Sequence, residues 1–131
     1  MRFVDTSFWV AMRFRRDAHY DEARRLWADR GQRLLTSNLV LGETGTFLRR
    51  RLGHTEAQDF VDRARRSPRL TVDRVDDLEE SQAWAWLSRH DERPYSFVDA
   101  TSFALMRQLK VTQALAFDDD FAAAGFTEVR P

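Results

Sequence analysis

The chain has 131 residues, 43% of them hydrophobic, which fits one compact domain with a real core. It has no cysteine, which excludes a disulfide scaffold, a cysteine-based zinc site and thiol catalysis. Its 21 basic and 21 acidic residues give a formal net charge of zero, so no global field attracts it to nucleic acid.

Helical periodicity and short apolar runs alternate along the whole chain. In the first half of the chain they predict a strand at 2–4, helices at 8–14 and 17–30, and a strand at 34–36. A helix capped by Ser37 or Asn38 then runs to about 52, and a helix capped by Thr55 spans 55–66. In the second half they predict a strand at 70–72, a helix from 76 or 77 through 87, a helix at 96–109, a strand at 114–117, a short helix, and a last strand near 127–129. This alternation predicts a single α/β domain over residues 1–131, a three-layer α/β/α sandwich with a mostly parallel sheet.

No stretch reaches the ~20 apolar residues that a membrane helix needs. The apolar N-terminus is interrupted by Asp5 and has no small-residue cleavage site after it, so it does not predict a signal peptide. We therefore expect a soluble, cytoplasmic protein with no membrane partner.

Three aspartates stand where predicted strands end or predicted helices begin. Asp5 and Asp118 follow strands, and Asp99 lies three residues after Ser96, the spacing of a capping box. Each of them has an alternative explanation as a helix cap, because a carboxylate accepts the free N–H groups of a first helical turn. In parallel sheets, however, ligands bind beyond the carboxyl ends of the strands.

A fourth acid, Glu43, lies within a predicted helix. It follows Leu39 by four residues and precedes Phe47 by four, so we expect it on the face that packs inward. An unpartnered buried carboxylate is costly or becomes protonated, and a cation is a natural partner for it. The alternative is a glutamate at the edge of the apolar stripe that reaches solvent.

Together these acids predict a metal site. Carboxylate oxygens without cysteine favour Mg²⁺, for which Mn²⁺ would substitute, and such a metal supports phosphodiester hydrolysis. By position we expect Asp5 and Asp99 to bind the metal and Glu43 and Asp118 to orient water there. Thr6 and Ser7 would hydrogen-bond the carboxylates.

Four segments in this order resemble the PIN domain, and within it the VapC-type toxins of toxin–antitoxin pairs. They are Phe3–Ser7, Leu35–Glu43, Ser96–Ala100, and Ala116–Phe121 followed by Gly125 and Phe126. The resemblance implies a Mg²⁺-dependent endoribonuclease, a homodimer, an RNA substrate and a cognate antitoxin that blocks the site. In the last segment Asp118 matches the family pattern best, Asp120 is the alternative fourth acid, and we expect Asp119 to face solvent.

Several other side chains have two interpretations. All basic residues except Lys110 are arginines, whose clusters either contact RNA or face solvent. Trp84 and Trp86 cannot share a helix face, so we expect one of them in the core, and a dimer or antitoxin contact is one of two interpretations of the other. Further residues are either structural or in contact with RNA, namely Asn38, Tyr95 and Phe97. The scattered histidines, His19, His54 and His90, have no metal-ligand spacing and are read as surface or helix residues.

Two other functions compete with the ribonuclease. A PIN-like module that only binds RNA or protein would tolerate loss of the acids, and all four are present. A metal-dependent phosphatase is suggested by the D-x-D pattern of residues 118–120, but in such enzymes that pattern follows the first strand.

Overall fold

The computed structural model describes residues 1–131. It has five strands: β1 (Arg2–Val4), β2 (Leu34–Ser37), β3 (Leu70–Asp73), β4 (Gln113–Leu115) and β5 (Thr127–Glu128). It has seven helices: α1 (Thr6–Arg13), α2 (Tyr20–Ala28), α3 (Asn38–Leu52), α4 (His54–Arg66), α5 (Asp77–Ser88), α6 (Phe97–Gln108) and α7 (Asp120–Ala123). None of these helices is long and apolar enough to cross a membrane.

The five strands form one sheet in the order β3-β2-β1-β4-β5, and every neighbouring pair is parallel. The predicted α/β class with a parallel sheet is therefore confirmed. From β1 the chain first builds outward through β2 and β3, and then crosses back to β4 on the other side of β1. The strand order consequently reverses between β1 and β4, and this is the switch point at which open α/β sheets bind ligands.

The core lies between the sheet and its helices. Strand residues such as Phe3, Val4 and Leu34 are fully buried, as expected for a parallel sheet covered on both faces. Phe103 of α6 packs edge-on against Phe121 of α7, with ring centroids 5.0 Å apart. Among the helices, α5 packs on α6, α3 packs on α4, and α1 contacts both α2 and α3.

Helix α2 is shorter than predicted at both ends. The side chain of Asp17 accepts the backbone N–H of His19 at 2.8 Å, and that of Asp29 accepts the N–H of Gly31 at 3.1 Å. These local turns compete with helical hydrogen bonds, so the helix spans Tyr20–Ala28 rather than 17–30.

Three other predicted boundaries are wrong. Helix α1 begins at Thr6 rather than residue 8, because Asp5 caps it by accepting the N–H of Ser7. Helix α4 begins at His54, with Gly53 at the cap position, so Thr55 is not its cap. Strand β4 ends at Leu115 rather than residue 117, because the Phe117 N–H leaves the sheet and donates to the Ser7 hydroxyl at 3.0 Å.

Candidate active site

Three carboxylates converge beside the switch point of the sheet. Asp5 directly follows β1, Asp118 lies three residues after β4, and Asp99 is the third residue of α6. Each offers one oxygen atom, and these three atoms lie within 4.8 Å of one another. They border a cleft of about 350 Å³, the acid cleft, which Glu43 also lines. The fold thus brings all four predicted acids to one cleft, three of them within reach of one ion.

Asp5 is buried, with only 3% of its surface exposed. Its Oδ2 accepts the backbone N–H of Ser7 at 3.1 Å and the hydroxyl of Ser7 at 2.7 Å. The cap role considered from the sequence is therefore real, and it leaves the other carboxylate oxygen available. The Ser7 hydroxyl also accepts the N–H of Phe117, so one serine ties the ends of β1 and β4 together.

Asp99 is held by the capping box that the sequence predicts. The Ser96 N–H donates to Oδ2 of Asp99 at 3.0 Å, and the Asp99 N–H donates to the Ser96 hydroxyl at 3.0 Å. The box fixes the carboxylate at the start of α6, where the helix dipole favours negative charge. Asp99 therefore completes the capping box of its helix and lies among the other acids at the same time.

The acidic run after β4 divides into three roles. Asp118 joins the cluster, and its Oδ1 accepts the N–H of Asp120 at 3.1 Å. Asp120 is turned toward Arg93, whose guanidinium donates to it at 2.8 and 3.1 Å. Asp119 is exposed, as predicted, and adopts a left-handed backbone with φ of 67°. The geometry favours Asp118 over Asp120 as the fourth acid.

Glu43 lies at the cleft but not on the buried face of its helix. The prediction that α3 buries it is wrong, because Glu43 is exposed while the adjacent Thr44 is fully buried. The inward stripe of α3 runs through Val40, Thr44 and Leu48. Leu39 and Phe47, which defined the predicted stripe, are only half-buried and flank it. Glu43 thus occupies the edge position that was its alternative interpretation.

The two hydroxyl residues after Asp5 differ. Ser7 binds the Asp5 carboxylate, as described above. Thr6 lines the cleft, but its hydroxyl forms a hydrogen bond with the Thr44 hydroxyl at 3.1 Å instead of with a carboxylate. Thr6 therefore ties α1 to α3 beneath the site.

Burial and mutual repulsion raise the pKa of the clustered acids. Burial, followed by the charge of Asp118, raises the pKa of Asp5 from 3.8 to about 8. Asp118 is exposed as a residue, but its carboxyl loses hydration beside the other acids, and this is the main cause that raises its pKa to about 6. Burial is the main cause that raises the pKa of Asp99. Such a cluster is stabilised by a cation, and its all-oxygen donor set fits a hard divalent ion such as Mg²⁺ or Mn²⁺.

Among the residues that line the acid cleft without having been assigned to the site from the sequence are His19 and Phe117. Their rings stack in parallel, with centroids 4.4 Å apart and an angle of 3° between the planes. The sequence spacing between His19 and the acids does not predict this position. His19 lies at the cleft because the segment between α1 and α2 borders it.

The other side chains that had two interpretations make packing or hydrogen-bond contacts within the protein. Trp86 is 8% exposed and Trp84 is 55% exposed, so the prediction that one of the pair belongs to the core is confirmed. Tyr95 packs edge-on against Trp86, and Phe97 stacks on Trp84 at 4.4 Å. The Asn38 carboxamide accepts the N–H of Val75 at 2.8 Å, while Ser37 caps α3.

Comparisons with known proteins agree with this geometry. A family model described as the PIN domain matches residues 2–127. The chain belongs to the PIN domain family. It is 57% identical over 132 residues to the 23S rRNA-specific endonuclease VapC20 of Mycobacterium tuberculosis strain CDC 1551 / Oshkosh, and equally so to the protein of that name from a second strain. These alignments cover 100% of this chain and 99% of each relative.

A solved structure supports the same assignment. The crystal structure of M. tuberculosis VapC20, described as a sarcin-ricin loop cleaving toxin, matches this PIN domain with a TM-score of 0.94. The sequence identity is 54%, and the match covers 100% of both chains. The resemblance to VapC-type PIN domains is therefore confirmed. The prediction of an endoribonuclease toxin agrees with the names of all these relatives. The comparisons support neither the prediction of a binding module nor that of a phosphatase.

Proposed function

We propose that this PIN domain is a Mg²⁺-dependent endoribonuclease toxin that hydrolyses phosphodiester bonds of 23S rRNA in the acid cleft. The observation that carries the proposal is the convergence of Asp5, Asp99 and Asp118 at the switch point of the sheet. Their chemistry fits the endonuclease activity for which the VapC20 relatives are named. The sarcin-ricin loop, named for the solved relative, is the proposed target region.

The carboxylates divide the work in this proposal. Asp5 and Asp99 would hold the ion, because Ser7 and the capping box fix their positions. Asp118 and Glu43 orient the attacking water from the rim of the cleft. An ion held there would supply charge stabilisation at the scissile phosphate and would favour deprotonation of water. Mn²⁺ would replace Mg²⁺, since both accept oxygen ligands.

A groove next to the acid cleft offers a path for the RNA chain to one side of the scissile phosphate. A groove along α3 shares Glu43 and Phe47 with the acid cleft and extends to Arg50 and Arg51. The Arg51 guanidinium lies over the Phe47 ring, 5.2 Å from its centroid. This pair of arginines is joined to the acid cleft by the shared groove, so we propose that it contacts the phosphates of the substrate.

A cleavage assay tests the site. We expect Asp5→Asn and Asp99→Asn each to reduce cleavage of 23S rRNA by at least about 100-fold in Mg²⁺ or Mn²⁺, because each removes an anionic ligand. The matched control is Asp119→Asn, which makes the same chemical change in the neighbouring exposed residue and keeps a residue type that tolerates a left-handed backbone. We expect the control to cleave like wild type. Undiminished cleavage by both ligand variants would refute the site, and no cleavage by wild type in either metal would favour a binding module.

We also propose three properties that the VapC relationship implies. The protein forms a homodimer, and the exposed Trp84, which stacks on Phe97, offers an apolar surface for the dimer interface. Light scattering would then give twice the mass of one chain. A cognate antitoxin blocks the acid cleft, and a small DNA-binding protein encoded directly upstream would identify it. The protein acts in the cytoplasm, where its proposed ribosomal substrate lies.

A further inference from the structure

A stack of planar groups forms one wall of the acid cleft. The His19 imidazole lies flat on the Phe117 ring, with centroids 4.4 Å apart and planes 3° from parallel. Both residues line the cleft together with the acids. The His19 side chain remains 38% exposed, so an approaching substrate reaches it. The wall therefore offers an accessible aromatic surface beside the reactive carboxylates.

Both rings of the stack have contacts that hold them. The backbone N–H of His19 donates to Oδ1 of Asp17 at 2.8 Å, and Nδ1 of the imidazole ring lies 3.2 Å from Oε1 of Glu22. The Arg130 guanidinium lies over Phe117 at 4.7 Å and donates to the Ala116 carbonyl at 2.9 Å. These contacts fix the ring planes before substrate arrives, which lowers the entropic cost of binding.

The position of the stack is also coupled to the carboxylates. The Phe117 N–H donates to the Ser7 hydroxyl, and that hydroxyl donates to Asp5. Phe117 immediately precedes Asp118 in the chain. A ligand stacked on this wall is therefore placed at a defined distance from the acids.

We propose that His19 extends the Phe117 stack into a platform for one unpaired RNA base next to the scissile phosphate. Proteins recognise unpaired RNA bases by stacking them on aromatic rings and histidine, and such stacking tolerates different sequences. Glu22 contacts one nitrogen of the His19 ring, and its carboxylate lies 4.0 Å from the Arg130 guanidinium. The positive charge of Arg130 therefore compensates the negative charge of Glu22 beside the platform. His19 is thus a positioning residue, and this role rests on the proposed ribonuclease function.

Steady-state cleavage of a synthetic sarcin-ricin-loop hairpin in Mg²⁺ tests the platform. We expect His19→Ala to raise KM roughly 5- to 100-fold, the effect of losing one aromatic stacking partner, with a smaller change in kcat. We expect His19→Phe to stay within about threefold of wild type, because a phenyl ring keeps the stacking surface. A role through hydrogen bonding or proton transfer predicts instead that His19→Phe fails like His19→Ala.

His90 provides a matched control. Its ring stacks on Trp86 at 4.0 Å and its Nδ1 lies 2.9 Å from Glu92, so its environment resembles that of His19, but it lies outside the acid cleft. We expect His90→Ala to lower the melting temperature as much as His19→Ala does and to leave KM unchanged.

Different outcomes separate the two proposals. If wild type cleaves the hairpin and His19→Ala has an unchanged KM, the platform is refuted and the nuclease stands. If His19→Phe is as defective as His19→Ala, stacking is refuted. If wild type cuts neither the hairpin nor whole ribosomal RNA in Mg²⁺ or Mn²⁺, the proposed function fails and the platform fails with it.

Discussion

At the scale of single residues, the acids combine a structural and a chemical task. Asp5 caps α1 and Asp99 completes the capping box of α6, yet both remain at the cluster of carboxylates. A carboxylate has two oxygens and about four acceptor directions, so one side chain can hold a helix end and still bind a cation. A cap explanation and a metal explanation are therefore compatible for these residues.

Glu43 gives the sharpest residue-scale prediction, because the structure changes its expected environment. Since Glu43 is exposed at the rim of the cleft, Glu43→Gln should leave the melting temperature close to that of wild type. It should weaken Mn²⁺ binding roughly 10-fold or more, the usual effect of removing a group that supports metal ligands. Calorimetric titration with Mn²⁺ and a thermal melt measure the two effects.

The control for Glu43 is Glu80→Gln, which makes the same change at an exposed helical glutamate outside the acid cleft. It should alter neither quantity. A large loss of stability in Glu43→Gln, or Mn²⁺ affinity equal to that of wild type, would contradict the rim position in which Glu43 supports the metal.

At the scale of elements, two helices begin with the same device and only one of them serves the site. Helix α6 starts with the capping box of Ser96 and Asp99, and α5 with that of Asp76 and Glu79. Because the box on α6 also orients Asp99, which we propose binds the metal, its loss should affect both stability and cleavage. The box on α5 should affect stability alone.

Cap substitutions test this distinction. Ser96→Ala should cost about 1 kcal/mol of unfolding free energy, the typical effect of losing an N-cap, and should reduce cleavage of 23S rRNA. Asp76→Ala should cost a similar amount and cleave at the wild-type rate. Denaturant unfolding and a cleavage assay give both numbers, and equal cleavage by the two variants would show that the α6 box does not position Asp99.

The order and type of the elements were predictable, whereas several ends were not. Periodicity and glycine or proline breaks determine where a helix or strand exists, and these signals are local. The ends of α2 moved because Asp17 and Asp29 form side-chain turns. The end of β4 moved because Phe117 bonds to Ser7, 110 residues away in sequence, which no local pattern records.

At the scale of the whole molecule, the acid cluster should link the free energy of unfolding to pH. A rise in pH should destabilise the metal-free protein but favour the binding of a divalent ion. The pKa of Asp5 is raised from 3.8 to about 8, so between these values the folded state binds a proton that the unfolded state has lost. Without metal, this group therefore makes the protein less stable as the pH rises from about 4 to about 8. A divalent ion competes with that proton and binds better at the higher pH.

Thermal melts check this linkage. Adding Mn²⁺ should raise the melting temperature more at about pH 8 than at about pH 5, since the deprotonated cluster gains most from the cation. In EDTA at about pH 8, Asp5→Asn should melt above wild type, because it removes a buried charge. Wild type that melts higher in EDTA than in Mn²⁺ at about pH 8 would contradict a metal site.

The sequence by itself determined the α/β class, the order of the elements, the identity of the acids and the capping box at α6. These features depend on local periodicity, local hydrogen bonding and residue chemistry. Only the tertiary structure decided that Asp118 joins Asp5 and Asp99 while Asp120 turns to Arg93, and that Glu43 lies at the rim. It alone brought His19 onto Phe117 beside the acids. The physical reason is that the rotation of a helix against the sheet and the path of a connecting segment are set by contacts between residues distant in sequence.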